Sequence, residues 1–142
     1  METYEILIAI ALIAVVVLIM IMGYLMTRTG RNEPWRREIK DKLKELTILS
    51  NNDDEIFIKT AIMEADKLLE FVLQRYNVPG ETLGEKLNNS QKYFSRSENM
   101  ERAWNGHKVR NSLAHDLDFR PNEDQLRLAF ADIAAAVRDL AG

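Results

Sequence analysis

Residues 6–26 read ILIAIALIAVVVLIMIMGYLM and contain no charged side chain. As a helix with a rise of ~1.5 Å per residue, Ile6–Met26 spans about 31 Å, close to the ~30 Å hydrocarbon core of a bilayer. Each CH₂ group removed from water contributes roughly 0.8 kcal/mol, so exposure of this stretch to water is strongly unfavourable. No other part of the chain is apolar enough to cover it as a core helix. The sequence therefore predicts a transmembrane helix over residues 6–26.

The segments on either side of this helix predict its orientation. The short tail 1–5 carries only acidic charges, whereas arginine and lysine dominate the charged residues that follow Met26. A cleaved signal peptide has a basic N-terminal region, so we expect an uncleaved anchor instead. Basic flanks remain in the cytoplasm, which predicts a single-pass plasma-membrane protein with its N-terminus outside. Residues 27–33 would form a basic juxtamembrane linker, and residues 34–142 a cytoplasmic domain.

The composition limits the classes of function. The chain has 142 residues and no cysteine, which excludes disulfide frameworks and thiolate metal sites. Its formal net charge is −3, so it is not a polycation that coats nucleic acid. The length leaves room for one modest domain beside the anchor.

Helical periodicity fills the domain 34–142. Apolar side chains recur every three or four residues from Pro34 to Leu49, again after Asp53, and again after Asn122. No alternating strand pattern occurs in the sequence. We therefore predict an all-α fold, in which a single N-terminal transmembrane helix precedes a bundle of four to five helices.

Several short polar sequences predict where these helices begin. Asp53 is expected to be the N-cap of the second helix of the domain, because its side chain can accept from the first free N–H groups. Thr82 with Glu85 matches a capping box, in which a hydroxyl residue and a glutamate three positions later cap each other's N–H groups. Ser95 with Glu98 matches the same pattern and is expected to begin the next helix.

The stretch 104–116, WNGHKVRNSLAHD, is the candidate functional segment. It contains both histidines of the chain, His107 and His115. On a helix, His107, Asn111 and His115 lie four residues apart and share one polar stripe. Polar side chains on a mostly buried helix need partners, because an unsatisfied group costs roughly 1–3 kcal/mol.

The spacing within this stretch disfavours two kinds of site. Histidines eight residues apart are separated by about 12 Å along a helix, so they cannot bind one ion together, and we expect no metal and no cofactor. No serine lies in the Gly-rich turn of a nucleophile elbow. Acid–base chemistry on a phosphodiester remains, since histidine titrates near neutrality and arginine stabilises developing negative charge.

Arg110-Asn111-x3-His115, near the end of a helix in an all-α bundle, resembles the Arg-x4-6-His motif of the HEPN superfamily. Residues 65–70, ADKLLE, and residues 80–84, GETLG, also resemble segments of HEPN-type proteins. The resemblance covers roughly residues 54–140. Members of that superfamily include dimeric, metal-independent ribonucleases and non-catalytic binding domains, so it implies a homodimer and permits RNA as a partner.

The resemblance also implies a role for each motif residue in the catalytic case. His115 would be the general acid and base, Arg110 would stabilise the phosphate charge, and Asn111 would position the reacting groups. His107, Lys108 and Asp116 would support this site.

Two functions and one structural interpretation follow. We predict a membrane-anchored, non-catalytic interaction or ligand-binding module, and the alternative is an endoribonuclease that uses His115 and Arg110 across a dimer cleft. Structurally, Arg110, Asn111 and His115 would form a buried network that reaches the loop after the helix, with His107 as a core histidine.

Acidic residues outnumber basic ones from Glu45 onward. RNA would therefore require a locally basic cleft, for which the sequence offers four side chains: Arg96, Arg102, Lys108 and Arg110.

Overall fold

A computed structural model describes residues 3–29 and 33–142, with the side chains of 26–29 left undescribed. All regular secondary structure in these residues is helical, which confirms the predicted all-α class. Six α-helices and one short 3₁₀ turn, Gln91–Tyr93, are present in the described ranges. In chain order, the α-helices are α1 (Thr3–Thr29), α2 (Pro34–Ser50), α3 (Glu55–Arg75), α4 (Leu83–Asn88), α5 (Ser97–His115) and α6 (Glu123–Ala141).

The chain divides into two compact units, Met1–Arg37 and Glu38–Gly142. The first unit consists mainly of α1, whose segment Thr3–Leu25 is long and apolar enough to span a membrane. None of that segment is buried, unlike the core helix of a soluble protein. The predicted linker 27–33 is only partly covered, since residues 27–29 belong to α1 and residues 30–32 lie outside the described residues.

The second unit is a bundle of α3, α5 and α6, with α4 and the later part of α2 beside them. Helix α6 is its centre, with ten buried residues on several sides of the helix. Helix α3 contributes a broad apolar face that includes Ile58, Ile62 and Leu69, each with no exposed surface. Burial of these side chains is the main stabilising term for short helices such as these, which are marginal in isolation.

Of the three predicted helix starts, the one at Thr82 is confirmed, the one at Asp53 is shifted by a residue, and the one at Ser95 is wrong. Thr82 caps α4 by accepting from the Glu85 N–H at 3.2 Å. Helix α3 is capped by Asp54 and not by Asp53. The reason is local: the Asn52 side-chain oxygen Oδ1 accepts from the Asp54 N–H at 3.0 Å, so the helix begins one residue later, and the Asp54 carboxylate accepts from the Ile56 N–H at 2.9 Å.

The capping box predicted at Ser95 and Glu98 is wrong. Helix α5 begins at Ser97, and Arg96 occupies the N-cap position without a side-chain hydrogen bond. Ser95 instead binds α6: its N–H donates to Asp139 at 2.9 Å, and its hydroxyl donates to the other oxygen of the same carboxylate. A carboxylate brought close by tertiary packing is a stronger acceptor than anything within the turn, so it takes both donors of Ser95.

Gly106 allows α5 and α6 to cross closely. A Cβ atom placed on Gly106 would lie 2.3 Å from Ile133 Cγ1 and 2.9 Å from the Ala129 carbonyl oxygen. Neither neighbour is the free end of a long side chain, so even one methyl group requires the two helices to separate. The close crossing positions the polar face of α5, which carries the candidate site.

We expect Gly106→Ala to lower the free energy of unfolding of the full chain in detergent by about 1–2 kcal/mol. Overpacking of this kind costs roughly 1–3 kcal/mol, which exceeds the ~1 kcal/mol that alanine gains in helix propensity. Thermal unfolding followed by tryptophan fluorescence measures the change.

Gly84→Ala is the matched control, because its added Cβ would lie 3.5 Å from the Trp104 ring, an ordinary contact. It should leave stability unchanged or raise it slightly. Equal stability of the two variants would contradict the close crossing.

Candidate functional site

Helix α5 presents its polar residues toward α3. His107 and Asn111 lie one turn apart on α5, and Arg110 is adjacent to Asn111. Asp66 comes from the buried face of α3 and is only 4% exposed. The four side chains meet in one cluster, which we call the Asp66 ring.

The contact between Asp66 and His107 is the centre of the ring. His107 Nδ1 lies 3.0 Å from Asp66 Oδ1 and 3.2 Å from Oδ2. Both residues are buried, His107 being 7% exposed. A carboxylate offers acceptors to a ring nitrogen, so Nδ1 carries the proton in this bond. The prediction of His107 as a core histidine with satisfied nitrogens is confirmed.

Asn111 connects His107 to Arg110. The Arg110 Nη1 group donates to Asn111 Oδ1 at 3.1 Å, and Asn111 Nδ2 lies 3.1 Å from His107 Nε2. A guanidinium has no acceptor, so it fixes the amide with Oδ1 toward Arg110 and Nδ2 toward the imidazole. Nε2 of His107 is then the acceptor, which agrees with a proton on Nδ1.

The ring closes through Arg110 and Asp66. Arg110 Nε lies 3.3 Å from Asp66 Oδ2, within ion-pair distance. Its N–H is not aligned for a hydrogen bond, and it is a buried donor without an acceptor among the described residues. The contact is therefore mainly electrostatic. The Arg110 side chain is 25% exposed, so water also screens part of its charge.

His115 lies outside this ring, which corrects the predicted network of Arg110, Asn111 and His115. It is the last residue of α5, it is exposed, and its side chain has no hydrogen bond to any residue that the structure describes. Five residues after Arg110, it lies about 140° away around the helix, since each residue turns the chain by ~100°. The buried histidine of the network is His107, one turn before Asn111.

The other predicted supporting residues lie on the surface. Asp116 is the C-terminal cap residue of α5, and its carboxylate accepts from the Asp118 N–H at 3.0 Å. Lys108 is exposed and lines a shallow groove beside Trp104. Neither contacts the Asp66 ring through a hydrogen bond or ion pair in the described part of the chain.

The sequence contains a signal for Asp66 that lies outside the motif of α5. Asp66 falls four residues after Ile62 and three before Leu69, in the apolar stripe of α3. A carboxylate in such a stripe requires a partner, because a buried unpaired charge is strongly unfavourable. The same signal marks Asp132, which is 7% exposed and binds Arg102 at 2.7 Å.

The Asp66 ring has little capacity left for chemistry. Its aspartate and arginine charges cancel, and both imidazole nitrogens are occupied. Over residues 3–29 and 33–142, no three histidine, aspartate or glutamate residues are placed to hold a metal ion.

Comparison of the chain with models of protein families, with curated proteins and with solved structures finds no match.

We expect Asp66→Ala to lower the free energy of unfolding by about 2–3 kcal/mol. Removing one partner of a buried ion pair costs roughly 3–5 kcal/mol, and partial exposure of Arg110 reduces that cost. Chemical denaturation of the full chain in detergent measures the loss.

Glu64→Ala removes a carboxylate two residues away on the same helix and serves as the control. Its partner Lys67 is 2.6 Å away, but both side chains are exposed, so the change should stay below about 1 kcal/mol. Equal losses in the two variants would show that the ring does not stabilise the bundle.

Proposed function

We propose that this chain is a membrane-anchored, non-catalytic binding module of HEPN-like type. The observation that carries the proposal is the occupied state of Arg110, which Asp66 and Asn111 hold within the protein. A catalytic arginine must be free to stabilise charge on a substrate. Holding this guanidinium in the ring supports a structural role for the Arg-x4-His motif.

The position of His115 supports the same proposal. A general base is normally oriented by a third group, as in catalytic triads. The structure contains no such group for His115 within the residues it describes. An exposed, unoriented imidazole at a helix end is an ordinary surface residue.

The charges around α5 also favour a non-catalytic role. Of the four basic residues that the sequence offers for an RNA cleft, Arg110 is held by Asp66 and Arg102 by Asp132. Neutralised cations contribute little to phosphate binding, because that binding depends on the release of counterions from unpaired charges. Two of the four cations of the predicted cleft are thus neutralised, which weakens the case for RNA binding at α5.

Membrane anchoring through α1, with residues 34–142 in the cytoplasm, is part of the proposal. The apolar length of α1 and the basic residues that follow it support this orientation. Dimerisation is also proposed, because Ile56, Phe57 and Leu128 expose apolar surface on the Glu38–Gly142 unit. Apolar patches of this kind are typical of contacts between subunits.

The alternative, a metal-independent ribonuclease, is favoured by one observation. His115 is exposed and has no intramolecular hydrogen bond in the described part of the chain, so a substrate can reach it. A partner subunit would then have to supply the group that orients it.

RNA cleavage by the full chain in detergent and EDTA, compared with Arg110→Ala and His115→Ala, tests the proposal. We expect no cleavage by any of the three proteins. Arg110→Ala should lower the melting temperature by several degrees, since 1 kcal/mol corresponds to about 4–8 °C for a domain near 100 residues. His115→Ala should leave it unchanged, because the side chain is exposed.

Cleavage that is lost in His115→Ala, while the melting temperature stays at the wild-type value, would establish the ribonuclease instead. The two variants thus separate a catalytic role from a structural one. Identical purification of all three proteins controls for contaminating nucleases.

A further inference from the structure

A groove with a volume of about 790 Å³ lies between α2 and the C-terminal end of α6. It belongs entirely to the Glu38–Gly142 unit. Its volume falls within the ~300–1,000 Å³ that is typical of sites for small molecules. The Asp66 ring contributes no residue to it.

The floor of the groove is apolar. Leu43, Thr47 and Ile48 follow one another along α2 on the side that lines it. The Thr47 hydroxyl donates to the Leu43 carbonyl oxygen at 2.8 Å, so it is satisfied within the helix and needs no polar partner in the groove. Ile48 is 76% exposed, which leaves its apolar surface uncovered.

All three charged residues that line the groove are basic, although the chain as a whole is acidic. Lys44 forms an exposed ion pair with Asp41 at 3.2 Å, which is a weak contact. Lys40 donates to the Gly142 carbonyl oxygen at the end of the groove. The Arg138 side chain has no hydrogen bond or ion pair with any described residue, so its charge is available.

We propose that this groove binds one anionic phospholipid from the membrane that holds α1. An acyl chain lies on Leu43, Thr47 and Ile48, and the lipid phosphate is bound by Lys44 and Arg138. An apolar floor beside one unpaired cation, Arg138, and one weakly paired cation, Lys44, matches a molecule that carries a hydrocarbon chain and a negative charge at one end. Basic residues close to a membrane attract anionic headgroups, and lysine stems cover apolar surface while their charges stay in water.

The sequence position of the groove favours a lipid over a soluble anion or an acidic peptide. Lys40 follows Thr29, the end of α1, by only 11 residues, so α2 is the first helix after the membrane segment. This argument rests on the membrane anchoring proposed above, but not on the absence of catalysis. A free phosphate would satisfy the cations and leave the apolar floor uncovered.

Photocrosslinking of the full chain in nanodiscs tests the proposal. One set of nanodiscs contains phosphatidylglycerol with a diazirine on its acyl chain, and the other contains phosphatidylcholine with the same chain. After irradiation, mass spectrometry maps the labelled peptides. We expect phosphatidylglycerol to label residues 40–48 strongly and phosphatidylcholine to label them weakly, whereas both lipids label α1. Inorganic phosphate in excess should not abolish the labelling, because it cannot cover the floor.

Variants separate the charged part of the groove from the apolar part. The double variant Lys44→Glu and Arg138→Glu should reduce groove labelling by roughly five-fold for each cation lost. Its control is Lys59→Glu with Lys67→Glu, which makes the same change in charge on exposed lysines of α3. Both double variants should keep the wild-type melting temperature.

The floor is tested with a single exposed residue. Ile48→Ser should reduce groove labelling without loss of stability, because the side chain is already largely in water. Leu117→Ser, at an 88% exposed leucine in the loop after α5, is its control and should have no effect.

Three results would overturn the proposal: equal labelling of residues 40–48 by both lipids, labelling that persists in the double variant, or a groove occupied by a second copy of the chain in protein–protein crosslinks. Metal-independent RNA cleavage would contradict the proposed non-catalytic function and leave this groove untouched. The lipid-binding proposal and the proposal of a non-catalytic function can therefore fail independently of each other.

Discussion

A carboxylate buried among apolar side chains constrains this bundle more than any other single group. Asp66 lies in the middle of the α3 core face, where an unpaired charge would be too unfavourable to tolerate. It therefore requires that α5 present His107 and Arg110 to it, and this requirement fixes the rotation of α5 about its axis. Asn111 then completes the ring by joining the imidazole to the guanidinium.

The same constraint recurs at two other helix contacts. Lys86 of α4, only 5% exposed, lies 3.1 Å from Glu70 of α3, and Arg102 of α5 lies 2.7 Å from Asp132 of α6. One partner in each pair, Glu70 or Arg102, remains about one-third exposed. Ion pairs of this kind add little net stability, because desolvation offsets their attraction. They favour one arrangement of the helices, because each partly buried charge requires its partner nearby. Their consequence for function is that Arg102 and Arg110, two basic residues of the motif helix, are already paired.

A second set of charges lies away from the ring. The groove beside α2 combines uncovered apolar surface with Lys44, whose ion pair is exposed and weak, and with Arg138, which has no ion pair to a described residue. In a chain whose first helix is apolar enough to span a membrane, such a surface is suited to the anionic lipid proposed above. The neutral polar ring and the basic groove share no residue.

The sequence by itself determined the segment long and apolar enough to span a membrane and the helices of the bundle, because both depend on the residues within short stretches. The apolar run in residues 6–26 and the polar start signal at Thr82 are local properties, and each corresponds to an element of the structure. Where a distant residue competes, local reasoning failed: the Asp139 carboxylate of α6 accepts from Ser95, and the N-cap of α5 lies one residue later, at Arg96.

Only the tertiary structure decided the composition of the site. The sequence indicated that Arg110, Asn111 and a histidine form a polar set, but it did not identify which histidine is buried. That depends on how far along α5 its polar stripe is covered by α3, which packing between distant parts of the chain sets. His107 faces Asp66 and is buried, while His115 emerges into water at the end of the same helix. The pattern of polar residues on one helix does not show which of them a second helix will bury.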